Sequence, residues 1–325
     1  MKNKIKVLAV LLLPLLSISQ AEANTFSSVY VFGDSLSDSG ASPSSVLSIY
    51  NLIGGDCDPS HPCPTYYEGR FSNGQTAVEY LADAILPGGS SSSNFFNFAV
   101  AGATSGIGNY GDGGSQSSSY LLPGMAQQIG LYLSSFSGGV SNDALHVVWG
   151  GANDFLTQDS PQLAAKNIAG YVNVLARRGA DYILVPNIPN LGMTPFVQLQ
   201  GADAISAAEG FSVGFNSELA LQLSGMAALF PATHIAQFDT FGFFNNIAQD
   251  PAAYGFTNIT DACVSLLSVC TDPAAHVFWD DFHPTTQIHA LVAAGFVSQV
   301  PLPGTMLFFL SGIMTVFSQG FRRRA

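Results

Sequence analysis

Ser35, Gly102, Asn153, Asp280 and His283 are the residues of this chain whose types and placement suit acyl transfer. A serine hydroxyl becomes a nucleophile when a histidine takes its proton during attack. A carboxylate beside that histidine fixes its tautomer and stabilises the imidazolium that forms. The developing oxyanion needs donors already in place, such as backbone N–H groups and an amide side chain. Ser35 and Gly102 offer N–H groups, and Asn153 offers its side-chain NH2. Removing one such donor typically costs about 2.7–4 kcal/mol of barrier.

Those residues need elements that bring them together. Val29-Tyr30-Val31-Phe32 is β-branched and aromatic, reads as a buried strand, and stops at Gly33 just before Ser35. A second predicted strand, 94–100, runs into Ala101-Gly102. A third, 144–149, is apolar throughout, as a central parallel strand is, and precedes Gly150-Gly151-Ala152-Asn153. Strands are also expected over 182–186 and 234–238. Helical spacing predicts helices over 75–84, 122–135 and about 202–228. Another opens at Pro161 behind Ser160 as N-cap and closes at Gly179. A last helix starts at Thr285 or Thr286 and runs to about 298. Alternating strands and helices imply a parallel sheet with right-handed crossovers. The expected fold is a three-layer α/β/α sandwich on a five-stranded parallel sheet, whose strand ends share one rim where ligands bind. The glycine- and serine-rich run 106–119 does not follow a strand and open a helix in the nucleotide-binding pattern, and it reads as a mobile surface loop.

Composition narrows the function classes. The chain has 325 residues, 47% hydrophobic and 10% charged, with a net charge of −12. Setting aside the lysines at 2, 4 and 6, Glu22 and the arginines at 322–324 leaves four basic against 21 acidic residues, a balance of −17. Such a body repels nucleic acid, so no nucleic-acid partner is expected.

The motifs together resemble a GDSL-type lipase or esterase of the SGNH hydrolase superfamily. Gly33-Asp34-Ser35-Leu36 matches the first block, Asn97-Phe98-Ala99-Val100-Ala101-Gly102 the second, Gly150-Gly151-Ala152-Asn153-Asp154 the third, and Asp280-Asp281-Phe282-His283-Pro284 the last. Gly69-Arg70-Phe71-Ser72-Asn73-Gly74 matches a further signature of one subgroup. The blocks keep the family order across nearly the whole body. Ala101 stands where many relatives carry a glycine, and the glycine in the oxyanion position, Gly102, is retained. The resemblance implies a flavodoxin-like sandwich, Ser35 as nucleophile, His283 as general base and Asp280 as its partner. It implies Ser35, Gly102 and Asn153 as oxyanion donors, and neither cofactor nor metal. The expected reaction is hydrolysis of carboxylic esters through an acyl-enzyme on a lipid, a small acyl ester or an acetylated glycan. Polysaccharide O-deacetylation, phospholipase action and acyl transfer use the same residues. A non-catalytic surface or matrix-binding module is the reading from another class.

The ends carry their own signals. Residues 1–23 have a lysine-rich start, an apolar run and Ala21-Glu22-Ala23, the pattern of a secretory signal peptide. Residues 24–299 form the hydrolase-like body. Residues 300–325 open with Val300-Pro301-Leu302-Pro303, continue as a short apolar stretch and end in arginines. This tail resembles a PEP-CTERM/VPLPA sorting signal, which implies exosortase-type processing and a bacterial protein that is secreted or held in the cell envelope. Cys57, Cys63, Cys263 and Cys270 fall in two close pairs, and an exported chain with such pairs is expected to hold two local disulfides. Of the remaining ionisable groups, His61 reads as surface, His146 and His289 as structural, and Arg70 as the partner of an acidic residue. Asp34 is expected to accept backbone hydrogen bonds in its turn. Asp281 rivals Asp280, and the Asp-x-x-His spacing favours Asp280.

Overall fold

Runs of β-branched and aromatic residues build the centre of the molecule, seen in a computed structural model that describes residues 26–135, 139–265 and 268–301. Strands β1 (Val29–Gly33), β2 (Phe95–Asn97), β3 (Leu145–Trp149), β4 (Tyr182–Pro186) and β5 (His234–Phe238) form one parallel sheet in the order β2-β1-β3-β4-β5. Every residue of β1 and β3 is buried, which is why these segments read as apolar without alternation. The helices are α1 (Ile49–Leu52), α2 (Ala77–Ile85), α3 (Met125–Ser134), α4 (Asn153–Leu156), α5 (Pro161–Arg177), α6 (Pro195–Gln198), α7 (Ala202–Leu229), α8 (Thr240–Gln249) and α9 (Thr286–Gln299).

Side chains alternate across a strand, so each strand feeds two layers. Tyr30, Phe32, Val148 and Ile183 join a core with Ile129 of α3, Ile168 of α5 and Phe215 of α7. On the other face α2 and α9 pack together, and Trp149 meets Phe296 edge-on at 5.3 Å. The result is the α/β/α sandwich expected from the sequence. Local signals act where they were read. The Ser160 hydroxyl accepts the Leu163 N–H at 3.3 Å, Pro161 opens α5, and Gly179 leaves it at φ +97°. Arg70 makes a buried bidentate pair with Glu79, at 2.9 and 2.7 Å, while Glu79 also accepts the Thr76 N–H at the start of α2.

Three stretches depart from expectation. The strand expected over 94–100 is only three residues long, because the Asn97 side chain accepts the Ala99 N–H at 2.9 Å and bends the chain away from extension. The run 106–119 is packed into the body rather than lying loose on it. The Thr104 hydroxyl donates to the Gly108 carbonyl, Gln116 reaches Asp159 and Ser160, and a Cβ at Gly106 or Gly108 would strike neighbouring backbone. A small parallel ladder, β6 (Asn258–Ala262) with β7 (His276–Phe278), was not anticipated, since the Asn, Asp and Ala of β6 are poor strand formers. Its pairing delivers the chain to Asp280 and is continued by Cys263 and Val264, which donate to the carbonyls of Phe278 and Trp279.

Cys57 is bonded to Cys63 and Cys263 to Cys270. The described residues form one compact unit. The leader reading of 1–23 and the tail reading beyond Pro301 lie outside the described residues.

Candidate active site

The strand order reverses between β1 and β3, and open α/β sheets bind ligands at the carboxyl ends beside such a switch. Ser35 and Asn153 follow those two strands, and Gly102 follows β2 on the adjoining side. The end of β1 is clamped by Gln128, which accepts the Gly33 N–H at 2.9 Å and donates to the Gly33 carbonyl at 2.8 Å. Gly33 lies so close to the Trp149 carbonyl that a Cβ would collide with it. The Asp34 carbonyl then accepts N–H bonds from Ser37 at 3.0 Å and Asp38 at 2.9 Å, which starts a helical turn immediately after the strand. The first N–H groups of such a turn have no partner within it. Among the described residues no acceptor takes the Ser35 N–H or the Gly102 N–H.

Gly102 sits at φ +78°, a conformation that favours glycine. Its neighbours hold it firmly. Asp38 accepts the N–H groups of Ala101, Ile49 and Gly40, each at 2.9 Å, and Asn109 donates to the Ala101 carbonyl at 2.9 Å. Asn153 opens α4 and uses one amide hydrogen on the Ala103 carbonyl at 3.0 Å, which leaves the other for a ligand. Asp154 binds the N–H and hydroxyl of Ser105 at 2.8 and 2.7 Å, bracing the next loop.

The late segment closes the site. His283 Nε2 lies 2.8 Å from Ser35 Oγ, and His283 Nδ1 lies 2.8 Å from Asp280 Oδ2 and 2.9 Å from Oδ1. Asp280 also accepts the backbone N–H groups of Phe282 and His283 and the Tyr66 hydroxyl, at 2.8, 2.7 and 2.9 Å. Its rival Asp281 is exposed and uses its backbone carbonyl to accept the Phe196 N–H. Burial alone would raise the Asp280 pKa. The charge and hydrogen bond of His283 and the two N–H donors outweigh burial and hold this carboxyl below its ordinary value. Asp34 follows the opposite balance, and desolvation pushes it up to about 7 against the N–H bond from Leu36 and the nearby His283 charge. Burial and the adjacent Asp280 charge raise the Tyr66 phenol.

The structure corrects the reading of His61 as a surface residue. Its ring packs against Phe71 at 4.5 Å, Tyr66 at 4.8 Å and His283 at 5.9 Å, and its Nε2 lies 3.8 Å from Asp280 Oδ2. Burial first, and the nearby His283 charge second, hold its pKa below the usual value. The disulfide loop carries it there, a long-range placement with no local signal. Asp38 and Tyr66 were likewise missed. Asp38 had a detectable cue in the short Asx-type turn it makes with Gly40. His146 and His289 are buried partners of structure, bonded to the Tyr132 hydroxyl and the Ala77 N–H respectively.

A cleft of about 650 Å³ opens over Ser35, Gly102, Asn153 and His283. Ile49, Ile53, Leu122, Phe155, Val197 and Phe282 give it an apolar lining. A serine hydroxyl, an imidazole with an oriented ring, and unsatisfied donors on one cleft are the kinds of group that acyl chemistry requires.

Comparison with known proteins identifies the family. The family described as GDSL-like lipase/acylhydrolase matches residues 29–296. The phosphatidylcholine-sterol acyltransferase of Aeromonas hydrophila is 25% identical over 340 residues, covering 86% of this chain and 91% of that protein. A GDSL esterase/lipase of Arabidopsis thaliana is 24% identical over 339 residues, covering 88% and 92%. Among solved structures, a lipolytic protein of the G-D-S-L family from Veillonella parvula aligns with a TM-score of 0.44 at 14% identity, over 84% of this chain and 97% of that one. The chain therefore belongs to the GDSL-like lipase/acylhydrolase family, as a serine hydrolase of ester bonds.

Proposed function

We propose that this chain cleaves carboxylic esters through an acyl-enzyme on Ser35, with His283 as general base and Asp280 holding it. The observation that carries the reading is the unbroken chain of hydrogen bonds from Asp280 through both ring nitrogens of His283 to Ser35 Oγ. With Nδ1–H donated to Asp280, Nε2 keeps the lone pair that accepts the Ser35 proton. The Ser35 oxygen then attacks the ester carbonyl carbon. The N–H groups of Ser35 and Gly102 and the free amide hydrogen of Asn153 receive the oxyanion. His283 returns the proton to the departing alcohol, and water repeats the cycle on the acyl-enzyme.

The apolar cleft favours an acyl chain longer than acetyl, and so supports lipid or fatty-ester hydrolysis over deacetylation of a glycan. Acyl transfer to a second alcohol is the alternative that the likeness to the Aeromonas acyltransferase supports. We also propose export, with removal of residues 1–23 and exosortase-type processing of 300–325. The two disulfides suit an oxidising compartment. Hydrolysis of nitrophenyl esters from acetyl to long-chain is the test, with Ser35→Ala as comparison. The expected result is activity that rises with chain length and is lost in the variant; equal activity in both proteins overturns the mechanism. Mass spectrometry of the exported protein is expected to find an N-terminal peptide beginning at Asn24.

A further inference from the structure

The disulfide loop from Cys57 to Cys63 sets a second imidazole against the Asp280 carboxylate, and its hydrogen bonds determine which ring nitrogen carries the proton. The Ser60 hydroxyl donates its one hydrogen to Asp58 Oδ1. Its oxygen is left to accept, and it lies 2.8 Å from His61 Nδ1, with Asp58 Oδ1 at 3.4 Å. His61 therefore carries its hydrogen on Nδ1 and turns the Nε2 lone pair toward Asp280 Oδ2, 3.8 Å away. Two acceptors thus face each other across that gap with no donor of either residue between them, and the Asp280 oxygen also takes His283 Nδ1–H and the Tyr66 hydroxyl, donors that a cation there would displace or crowd.

The dimensions fit one. Zinc binds imidazole nitrogen and carboxylate oxygen at about 2.0–2.2 Å in tetrahedral geometry, which sets neighbouring ligand atoms roughly 3.3 Å apart. Here His61 Nε2 and Asp280 Oδ2 are 3.8 Å apart, and Asp280 Oδ2 and His283 Nδ1 are 2.8 Å apart. One ligand atom from each residue lies within 4.8 Å of the others. The Ser60 and Asp58 oxygens at Nδ1 supply the outer hydrogen-bond partner that metal-ligating histidines ordinarily have.

We propose that His61, Asp280 and His283 form a binding site for zinc, occupancy of which inhibits the enzyme. The inhibitory consequence rests on the general-base role proposed for His283. Coordination through His283 Nδ1 displaces the hydrogen from that atom. The neutral ring regains a hydrogen on Nε2 from solvent, so the proton count is unchanged. Nε2–H then points at Ser35 Oγ and has no lone pair to accept the serine proton. Asp280 at the same time gives its Oδ2 to the metal. Removal of the ion restores the working tautomer.

Calorimetric titration of zinc chloride into the full chain carrying Ser35→Ala measures binding without any hydrolysis. The expected result is one ion per chain. In the unsubstituted chain zinc is expected to lower ester hydrolysis, and a chelator to restore it. His61→Gln removes one ligand and is expected to abolish saturable zinc inhibition. Asp58→Asn keeps all three ligands and is expected to weaken zinc about 10–100-fold. It decides the matter should His61→Gln fail to fold. Absence of stoichiometric binding, or zinc sensitivity unchanged in both folded variants, overturns the site. Zinc binding together with no esterase activity in the unsubstituted chain overturns the proposed function and leaves the site standing.

Discussion

Replacing Asp280 by Asn keeps the shape of the side chain and inverts what it tells His283. In the native site Asp280 is wholly an acceptor, taking His283 Nδ1–H, two backbone N–H groups and the Tyr66 hydroxyl. An asparagine has one accepting oxygen. The Phe282 and His283 N–H groups, at 2.8 and 2.7 Å on Oδ1, compete most closely for it. The NH2 group then occupies the Oδ2 position, facing His283 Nδ1 and the Tyr66 hydroxyl. A donor facing Nδ1 selects the tautomer with hydrogen on Nε2, which cannot accept the Ser35 proton. The corresponding substitution in a serine protease lowers kcat about 10⁴-fold, or roughly 5.4 kcal/mol at about 1.36 kcal/mol per tenfold. The same loss is expected here, with KM little changed, in steady-state hydrolysis of a nitrophenyl ester. Asp281→Asn, at the exposed neighbour, is the control and is expected to stay within a few-fold of the parent. A folded Asp280→Asn enzyme within tenfold of the parent kcat would falsify the orienting role, as would an equal loss in Asp281→Asn.

Asn153→Ala removes the amide donor and is expected to lower kcat about 10²–10³-fold while the ground-state KM barely moves; a change confined to KM contradicts the oxyanion role. Glu79→Gln leaves the buried Arg70 guanidinium without its bidentate counter-charge and is expected to cost about 3–5 kcal/mol in a denaturant titration. A shift below about 1 kcal/mol would show the pair to be dispensable. Asp34 has a folded pKa of about 7 against an ordinary 3.8, so its contribution to stability is full below about pH 3.8 and is lost as pH rises through 7. Asp34→Asn cannot titrate, and its melting temperature relative to the parent is expected to climb between pH 4 and 8. A flat difference across that range refutes the shift.

Much of the fold was legible because local chemistry and tertiary role coincide. Val29 to Phe32 and Leu145 to Trp149 are buried on both faces, and only a central parallel strand asks for that run of apolar residues. Ser160 and Pro161 act within one helical turn, at a range a sequence reading can see. The ladder of β6 and β7 was not legible, because β6 mixes Asn, Thr and Asp with Ile and Ala, β7 is only three residues long, and each pairs with a segment distant in sequence. The bend after Asn97 was hidden for a related reason, since a side chain there overrides an extended backbone preference. The loop 106–119 misled because glycine and serine signal mobility only when nothing packs on them. Here the glycines permit backbone to approach backbone.

The sequence by itself determined which residue types are present for acyl chemistry, their order along the chain, and the strand ends on which Ser35, Gly102 and Asn153 would sit. Asp280 could be preferred over Asp281 from spacing alone, because three residues of turn is a local matter. Only the tertiary structure decided that His283 reaches Ser35 across 248 positions, that Tyr66 and His61 crowd the same carboxylate, and that Asp38 ties the Gly102 turn to the serine turn. Those relations depend on sheet order and on a disulfide loop folding back over the rim. Distances between remote segments are set by how the whole core packs, and no short stretch of sequence carries that information.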